Sequence, residues 1–136
     1  MPLLILADEQ ENMINKYLNR GVMYILDDNG VKGVCIVTKE SDEIIEIKNI
    51  AVDPKYQKRG YGRSLINFLI IKYKNNFDIL QVGTGNVPST ITFYKKCGFS
   101  HSHIIKNFFI ENYDHPIYEN GIQLIDMVYL QINLKT

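Results

Sequence analysis

Between Gln57 and Ser64 the chain reads Gln-Lys-Arg-Gly-Tyr-Gly-Arg-Ser. Gly60 and Gly62 have no Cβ, so the backbone there can wrap closely around phosphate oxygens. Lys58, Arg59 and Arg63 place positive charge on the same rim. If a helix starts at this point, its free N–H groups and macrodipole complete an anion site. The chemistry to expect is diphosphate binding. Two familiar versions of that chemistry are excluded. The nucleoside-triphosphate pattern G-x-x-x-x-G-K-[ST] is absent, and the dinucleotide pattern G-x-G-x-x-G fails because Leu65 stands where its third glycine belongs. Gly83-Thr84-Gly85 fails in the same way at Pro88. A lone Gly-x-Gly is equally compatible with a plain turn, so the surrounding elements have to decide.

The residues around this loop alternate between helix and strand signals. Asp8 to Arg20 fits an amphipathic helix ended by Gly21, and residues 3–6 a short strand or a lead-in to that helix. Val22 to Leu26 and Val31 to Thr38 read as strands of a hairpin, since Asn29-Gly30 tolerates the positive φ such a turn needs. Asp42 to Val52 is a third strand, Asp53-Pro54 a turn, and Tyr61 to Lys74 a helix dense in apolar residues. Asp78 to Val82 follows as a short strand, expected to lie parallel to the third. Ser89 to Lys96 is a short helix stopped by Gly98. Ile104 to Tyr113 and Ile125 to Asn133 read as final strands joined by a loop with Pro116 and Gly121.

Three segments of this order resemble the GNAT superfamily of N-acetyltransferases. Gln57-x-x-Gly60-x-Gly62 is similar to its pyrophosphate signature Q/R-x-x-G-x-G/A. Ile50-Ala51-Val52-Asp53-Pro54 looks like the family's I-A-V-x-P strand end, and Asn86-x-x-Ser89-x-x-x-Phe93-Tyr94-x-x-x-Gly98-Phe99 its second cofactor segment. The resemblance implies an α/β (α+β) GNAT fold: a mixed, mostly antiparallel sheet splayed between two parallel strands and flanked by helices. Residues 1–136 would form a single domain with a shortened N-terminal part, since only about 20 residues precede Val22.

The resemblance also implies site roles. Acetyl-CoA would be the co-substrate, its pyrophosphate on Gln57, Lys58, Arg59, Gly60, Tyr61, Gly62, Arg63 and Ser64. Its pantetheine arm would run along Ile50, Ala51 and Val52, with a backbone N–H there, that of Val52, stabilising the oxyanion. Asn86, Ser89, Phe93 and Lys96 belong to the second cofactor segment. Tyr94 matches the usual general acid, because a phenol with pKa of about 10 stays protonated at neutral pH and can donate to a departing thiolate. The alternative for Tyr94 is packing of its helix onto the sheet. Glu43 and Glu46 lie on the strand leading to the site. Glu46 is the better-placed general base, with a side chain pointing to solvent or pairing with Lys48 as its alternative reading. Transfer would be direct attack of an amine on the thioester, which needs no nucleophilic Cys97.

The acceptor has to be read from the C-terminal third. Glu111, Asp114 and Glu119, with Phe108, Phe109, Tyr113 and Tyr118, either line a pocket for a cationic amine or form a loop over a sheet edge. The stretch resembles that of small bacterial GNAT proteins, and this resemblance implies a small-molecule amine as acceptor. A protein N-terminus or lysine is the alternative acceptor, and a non-catalytic acyl-CoA-binding module the alternative function. By analogy with the family, the two last strands are candidates for a homodimer interface.

Composition bounds these readings. Fifteen basic and 15 acidic residues give a net charge of zero, which argues against a nucleic-acid partner. No apolar run reaches the about 18 residues of a membrane span, so a cytoplasmic address is expected. Cys35 and Cys97 sit in apolar surroundings and read as reduced, buried thiols. His101, His103 and His115 lack partners at zinc-site spacing, so no metal is expected.

Overall fold

The computed structural model describes residues 21–57 and 60–135. The expected helix at Asp8–Arg20, the strand at residues 3–6, and the side chains of Lys58 and Arg59 lie outside the described residues. The described residues gather into two compact units, residues 21–80 with 133–135 and Gln81–Ile132.

The first unit opens with an antiparallel meander of β1 (Val22–Asp27), β2 (Val31–Lys39) and β3 (Ile44–Val52). Asn29 (φ 57°) and Gly30 (φ 111°) make the first turn, closed by Gly30 N–H donating to Asp27 Oδ1 at 3.0 Å. At the second turn Ser41 Oγ accepts from the N–H groups of Glu43 and Ile44 at 3.2 and 3.1 Å. That capping draws residues 41–43 into the turn, so β3 begins at Ile44 rather than at Asp42. The β2–β3 register shifts between Ile36, opposite Asn49, and Val37, opposite Ile47, which leaves Lys48 as the extra residue of a bulge.

Helix α1 (Tyr61–Tyr73) packs on β2 and β3 and buries Leu65, Ile66 and Leu69. Its apolar content exceeds that face, because Phe68 and Ile71 are 44% and 69% exposed. Phe68 meets the edge of Tyr24 at 5.0 Å, and the Tyr24 and Tyr73 hydroxyls share a hydrogen bond of 2.5 Å. Strand β4 (Ile79–Gly85) then starts beside β3 and parallel to it. The N–H groups of Asp78 and Ile79 both donate to the Glu43 carbonyl, at 2.8 and 3.0 Å.

In the second unit the strand order is β4-β8-β5, with β5 (Ser100–Ile105) antiparallel to β8 (Met127–Asn133). β4 runs three residues beyond the expected end at Val82. Gly83 and Gly85 are therefore strand residues, kept small by their neighbours. A Cβ on Gly83 would stand 2.8 Å from Met127 Sδ, and one on Gly85 2.5 Å from Leu124 Cδ2. Helix α2 (Pro88–Lys96) follows, with Pro88 in its first turn and Gly98 (φ 105°) just beyond its end.

The strand expected over Ile104–Tyr113 is corrected. β5 ends at Ile105, Asn107 turns the chain at φ 59°, and Phe108–Asn112 forms a short helix, α3. Tertiary packing overrides the β preference of this aromatic run. Phe109 is buried with Val87, Ile117 and Leu124, while Phe108, Tyr113 and Met127 pack against them. Each such large side chain contributes roughly 1.5–3 kcal/mol of burial free energy. The loop that follows contains a second hairpin, β6 (Tyr118–Glu119) and β7 (Ile122–Gln123), turned at Asn120 (φ 51°) and Gly121 (φ 76°).

Cys35 is buried, whereas Cys97 is only half-buried. Loss of hydration pushes the Cys35 thiol up to about 12 from its ordinary 9.0, a backbone hydrogen bond from Tyr24 opposing the rise. A raised folded-state pKa makes the buried thiol stabilising below pH 9 and progressively less so from about pH 9 to about 12, as only the unfolded chain ionises. Unfolding free energies from denaturant titrations across that range are expected to fall by up to about 1.4 kcal/mol per pH unit from this group. In Cys35→Ala the decline is expected to be shallower.

Candidate active site

The diphosphate loop is built from the end of β3 onward. Asp53 caps the 3-10 turn Pro54–Tyr56 by accepting from Lys55 N–H at 3.0 Å. The chain leaves that turn extended at Gln57, whose side-chain amide donates back to the Val52 carbonyl at 3.2 Å. Gly60 then adopts φ 84°, ψ 5° as the N-cap of α1. A glycine offers no side-chain acceptor, so the N–H groups of the first turn present no capped face to an incoming anion. Ser64 N–H and Ser64 Oγ both donate to the Gly60 carbonyl at 2.9 Å. The hydroxyl of Ser64 thus tightens the turn, while Arg63 stays exposed beside it.

This loop is tied to the tip of the β1–β2 hairpin. Antiparallel register sets Gly33 opposite Val52, and the Asp53 N–H donates to the Lys32 carbonyl at 3.0 Å. Tyr61 Oη donates to Asp28 Oδ2 at 2.9 Å. Lys32 is 9% exposed, with Nζ 4.0 Å from the centre of the Tyr56 ring and hydrogen-bonded to the Asn29 carbonyl at 3.2 Å. The Tyr56 ring in turn meets Tyr61 edge-on at 6.3 Å. Sequence reasoning missed Lys32, because only the strand register brings it to the loop.

Of the three strand-end residues, Ala51 points its methyl group into the core with Val34 and Ile36, leaving only its backbone for a ligand. Ile50 and Val52 are half-buried. Glu46 is 4% exposed, and its Oε2 lies 2.7 Å from Lys48 Nζ. Lys48 Nζ is also 3.9 Å from Glu40 Oε1, and Glu40 accepts from the Thr38 hydroxyl. Of the two alternatives read for Glu46, the ion pair with Lys48 is present, and the solvent-facing side chain is corrected, because the carboxylate is buried. Glu43 lies in the turn ahead of β3.

In the second unit, Asn86 is exposed between β4 and α2. Ser89 is exposed too, and its Oγ accepts from Asn120 Nδ2 at 3.1 Å. Thr90 Oγ1 donates to Glu119 Oε2 at 2.6 Å. Tyr94 is 6% exposed, its ring edge-on to Phe93 at 5.2 Å and to Phe99 at 5.4 Å. Burial, then the charge of Glu119 and then that of Cys97, hold its phenol above the ordinary tyrosine range. Lys95 and Lys96 are exposed in the last turn. The acidic and aromatic stretch divides. Phe108, Phe109 and Tyr113 are core, Tyr118 and Glu111 are exposed, and Asp114 pairs with His115 at 2.6 Å. Only Glu119, of those three acids, bonds to α2. Among the described residues no three His, Cys, Asp or Glu side chains converge as metal ligands would.

A glycine-capped helix start directly after a strand end, offering backbone N–H groups to a diphosphate, suits a transferase that draws its acyl group from a nucleotide-bearing thioester. The acetyltransferase (GNAT) domain family matches residues 19–101, and the chain belongs to it as an acetyl-CoA-dependent N-acetyltransferase. It is 39% identical over 135 residues to the uncharacterized N-acetyltransferase YvbK of Bacillus subtilis, covering 97% of this chain and 87% of that one. A GNAT family acetyltransferase of Elizabethkingia anophelis, solved with acetyl-CoA bound, superposes with a TM-score of 0.93 at 40% identity, over 97% of this chain and 88% of that one. The IAA acetyltransferase of Bacillus cereus gives 0.91 at 36% identity, over 97% and 90%.

Proposed function

We propose that this chain moves the acetyl group of acetyl-CoA to the primary amine of a small molecule, by direct attack in a ternary complex. The N–H groups that open α1, with Gln57, Lys58, Arg59, Arg63 and Ser64 around them, hold the pyrophosphate. The backbone of Ile50 to Val52 takes the pantetheine arm. Asn86, Ser89, Phe93 and Lys96 flank the cofactor, although Ser89 does so with its hydroxyl already engaged by Asn120. Tyr94 is the proton donor to the departing thiolate.

The observation that carries this reading is the placement of Tyr94, whose buried ring is held edge-on by Phe93 and Phe99 on the helix of the second cofactor segment. A phenol is protonated at neutral pH with its ordinary pKa of about 10, and a protonated donor is what a leaving thiolate needs. The small-molecule acceptor is supported by the β6–β7 hairpin, which is pinned to the first turn of α2 through Ser89 and Thr90. The hairpin sets the acidic side chain of Glu119 against that helix, and a carboxylate there suits a small cationic amine.

Thiol release from acetyl-CoA, measured with polyamines, amino acids, aminoglycosides and short peptides as separate pools, tests it. Turnover with a small-molecule pool is the expected result. Turnover confined to peptides would move the acceptor to proteins. Tight acetyl-CoA binding without turnover in any pool would leave an acyl-CoA-binding module.

A further inference from the structure

The β6–β7 hairpin places one carboxylate against the helix that carries Tyr94. Asn120 (φ 51°) and Gly121 (φ 76°) supply the two left-handed residues of a tight two-residue turn, which fixes Glu119 opposite Ile122. Asn120 Nδ2 donates to Ser89 Oγ at 3.1 Å and Thr90 Oγ1 donates to Glu119 Oε2 at 2.6 Å, so the turn is held at two adjacent positions of α2. Thr90 and Tyr94 are four residues apart on that helix and therefore share a face, with Cβ atoms about 5–6 Å apart. The carboxylate bonded to Thr90 thus stands one helical turn from the phenol. The same proximity is felt electrostatically, since the Glu119 charge contributes to the upward shift of Tyr94.

Building on the amine-acetylation reading above, we propose that Glu119 receives the acceptor's ammonium group beside Tyr94 and takes up the proton it must lose. Glu46 is poorly suited to that task, because its carboxylate is already neutralised by Lys48 at 2.7 Å. Among the described residues no cation pairs with Glu119. A carboxylate has about four acceptor sites, of which the Thr90 hydroxyl takes one. The half-buried ring of Phe93, edge-on to Tyr94, adds an aromatic surface that suits an alkylammonium. The protons balance. An alkylammonium gives up two on becoming a neutral amide: one leaves to water through Glu119, and one replaces the proton that Tyr94 gives to the CoA sulfur. The nitrogen lone pair forms the N–C bond as the C–S bond breaks. The substrate class is a primary amine that is cationic at neutral pH.

The test compares the parent chain with Glu119→Gln and Glu119→Asp. Acetyl-CoA affinity is measured by calorimetry, and thiol release with spermidine, kanamycin, ethylamine and trifluoroethylamine, the last being uncharged at neutral pH. Glu119→Gln is expected to bind acetyl-CoA as the parent does and to lose about 10²-fold in kcat/KM with the cationic amines. The loss is expected to shrink to a few-fold with trifluoroethylamine, which has no ammonium to attract or deprotonate. A merely structural role would lower both alike. Equal losses, undiminished activity of Glu119→Gln, or weakened acetyl-CoA binding would each overturn the proposal. If the parent acetylates only the cationic amines, Glu119→Asp decides: recovery to within about tenfold of the parent supports the role, and no recovery overturns it. A parent that acetylates no amine sinks the function proposed above, a result distinct from any of these.

Discussion

Gly60→Glu is expected to weaken acetyl-CoA binding by 10²-fold or more while the chain still folds. Gly60 sits at φ 84°, where a side chain is strained by about 1–2 kcal/mol. Among the described residues no heavy atom lies within 4 Å of a Cβ placed there, so the side chain enters open space and backbone strain is the cost at Cβ. The carboxylate is what matters. It would lie at the start of α1, where the macrodipole and the first N–H groups favour negative charge, and would occupy the positions offered to the pyrophosphate. Gly60→Ala separates the two effects, since it carries the same backbone strain without the charge. Calorimetry is expected to show Gly60→Ala binding within several-fold of the parent and Gly60→Glu not binding measurably. Thermal midpoints of the two are expected to be lowered similarly. Equal affinities of Gly60→Glu and the parent would remove the pyrophosphate from this loop.

The loop was legible because its chemistry is local. Gly60 at positive φ, Asp53-Pro54 as a turn, and a helix opening at Tyr61 all follow from residue type and near neighbours. The hairpin at Asn29-Gly30 is legible for the same reason, and the identical dipeptide at Asn120-Gly121 carries the same signal for β6 and β7. What the sequence hides is whatever depends on register or packing. Lys32 reaches Tyr56 only because β2 and β3 pair with Gly33 opposite Val52. Phe108 to Asn112 has strand-like residues, yet it coils into a helix because Phe109 is needed among Val87, Ile117 and Leu124. Gly83 and Gly85 look like a broken nucleotide motif until Met127 and Leu124 are seen packed over them. The three acids of the C-terminal stretch are alike in sequence, and only the second hairpin singles out Glu119.

Tyr94→Phe is expected to lower kcat and kcat/KM together by 10²-fold or more, with acetyl-CoA affinity unchanged, because the hydroxyl acts only as the thiolate departs. The phenyl ring keeps the edge-on contacts with Phe93 and Phe99 that seat it, so the fold should survive. A parallel loss of stability would show that the hydroxyl serves packing instead. The pH profile discriminates further. Burial first, then Glu119 and Cys97, raise the phenol above the ordinary tyrosine range. The protonated form is the active donor, so a raised pKa extends activity to higher pH. No alkaline limb attributable to Tyr94 is expected below about pH 10. In Glu119→Gln the Glu119 contribution to the rise disappears while that of Cys97 stays, and the titration of Tyr94 followed by phenolate absorbance is expected to begin at lower pH. A Tyr94 that already ionises near neutral pH in the parent would be largely deprotonated when the thiolate leaves, and proton donation to the sulfur would need another source.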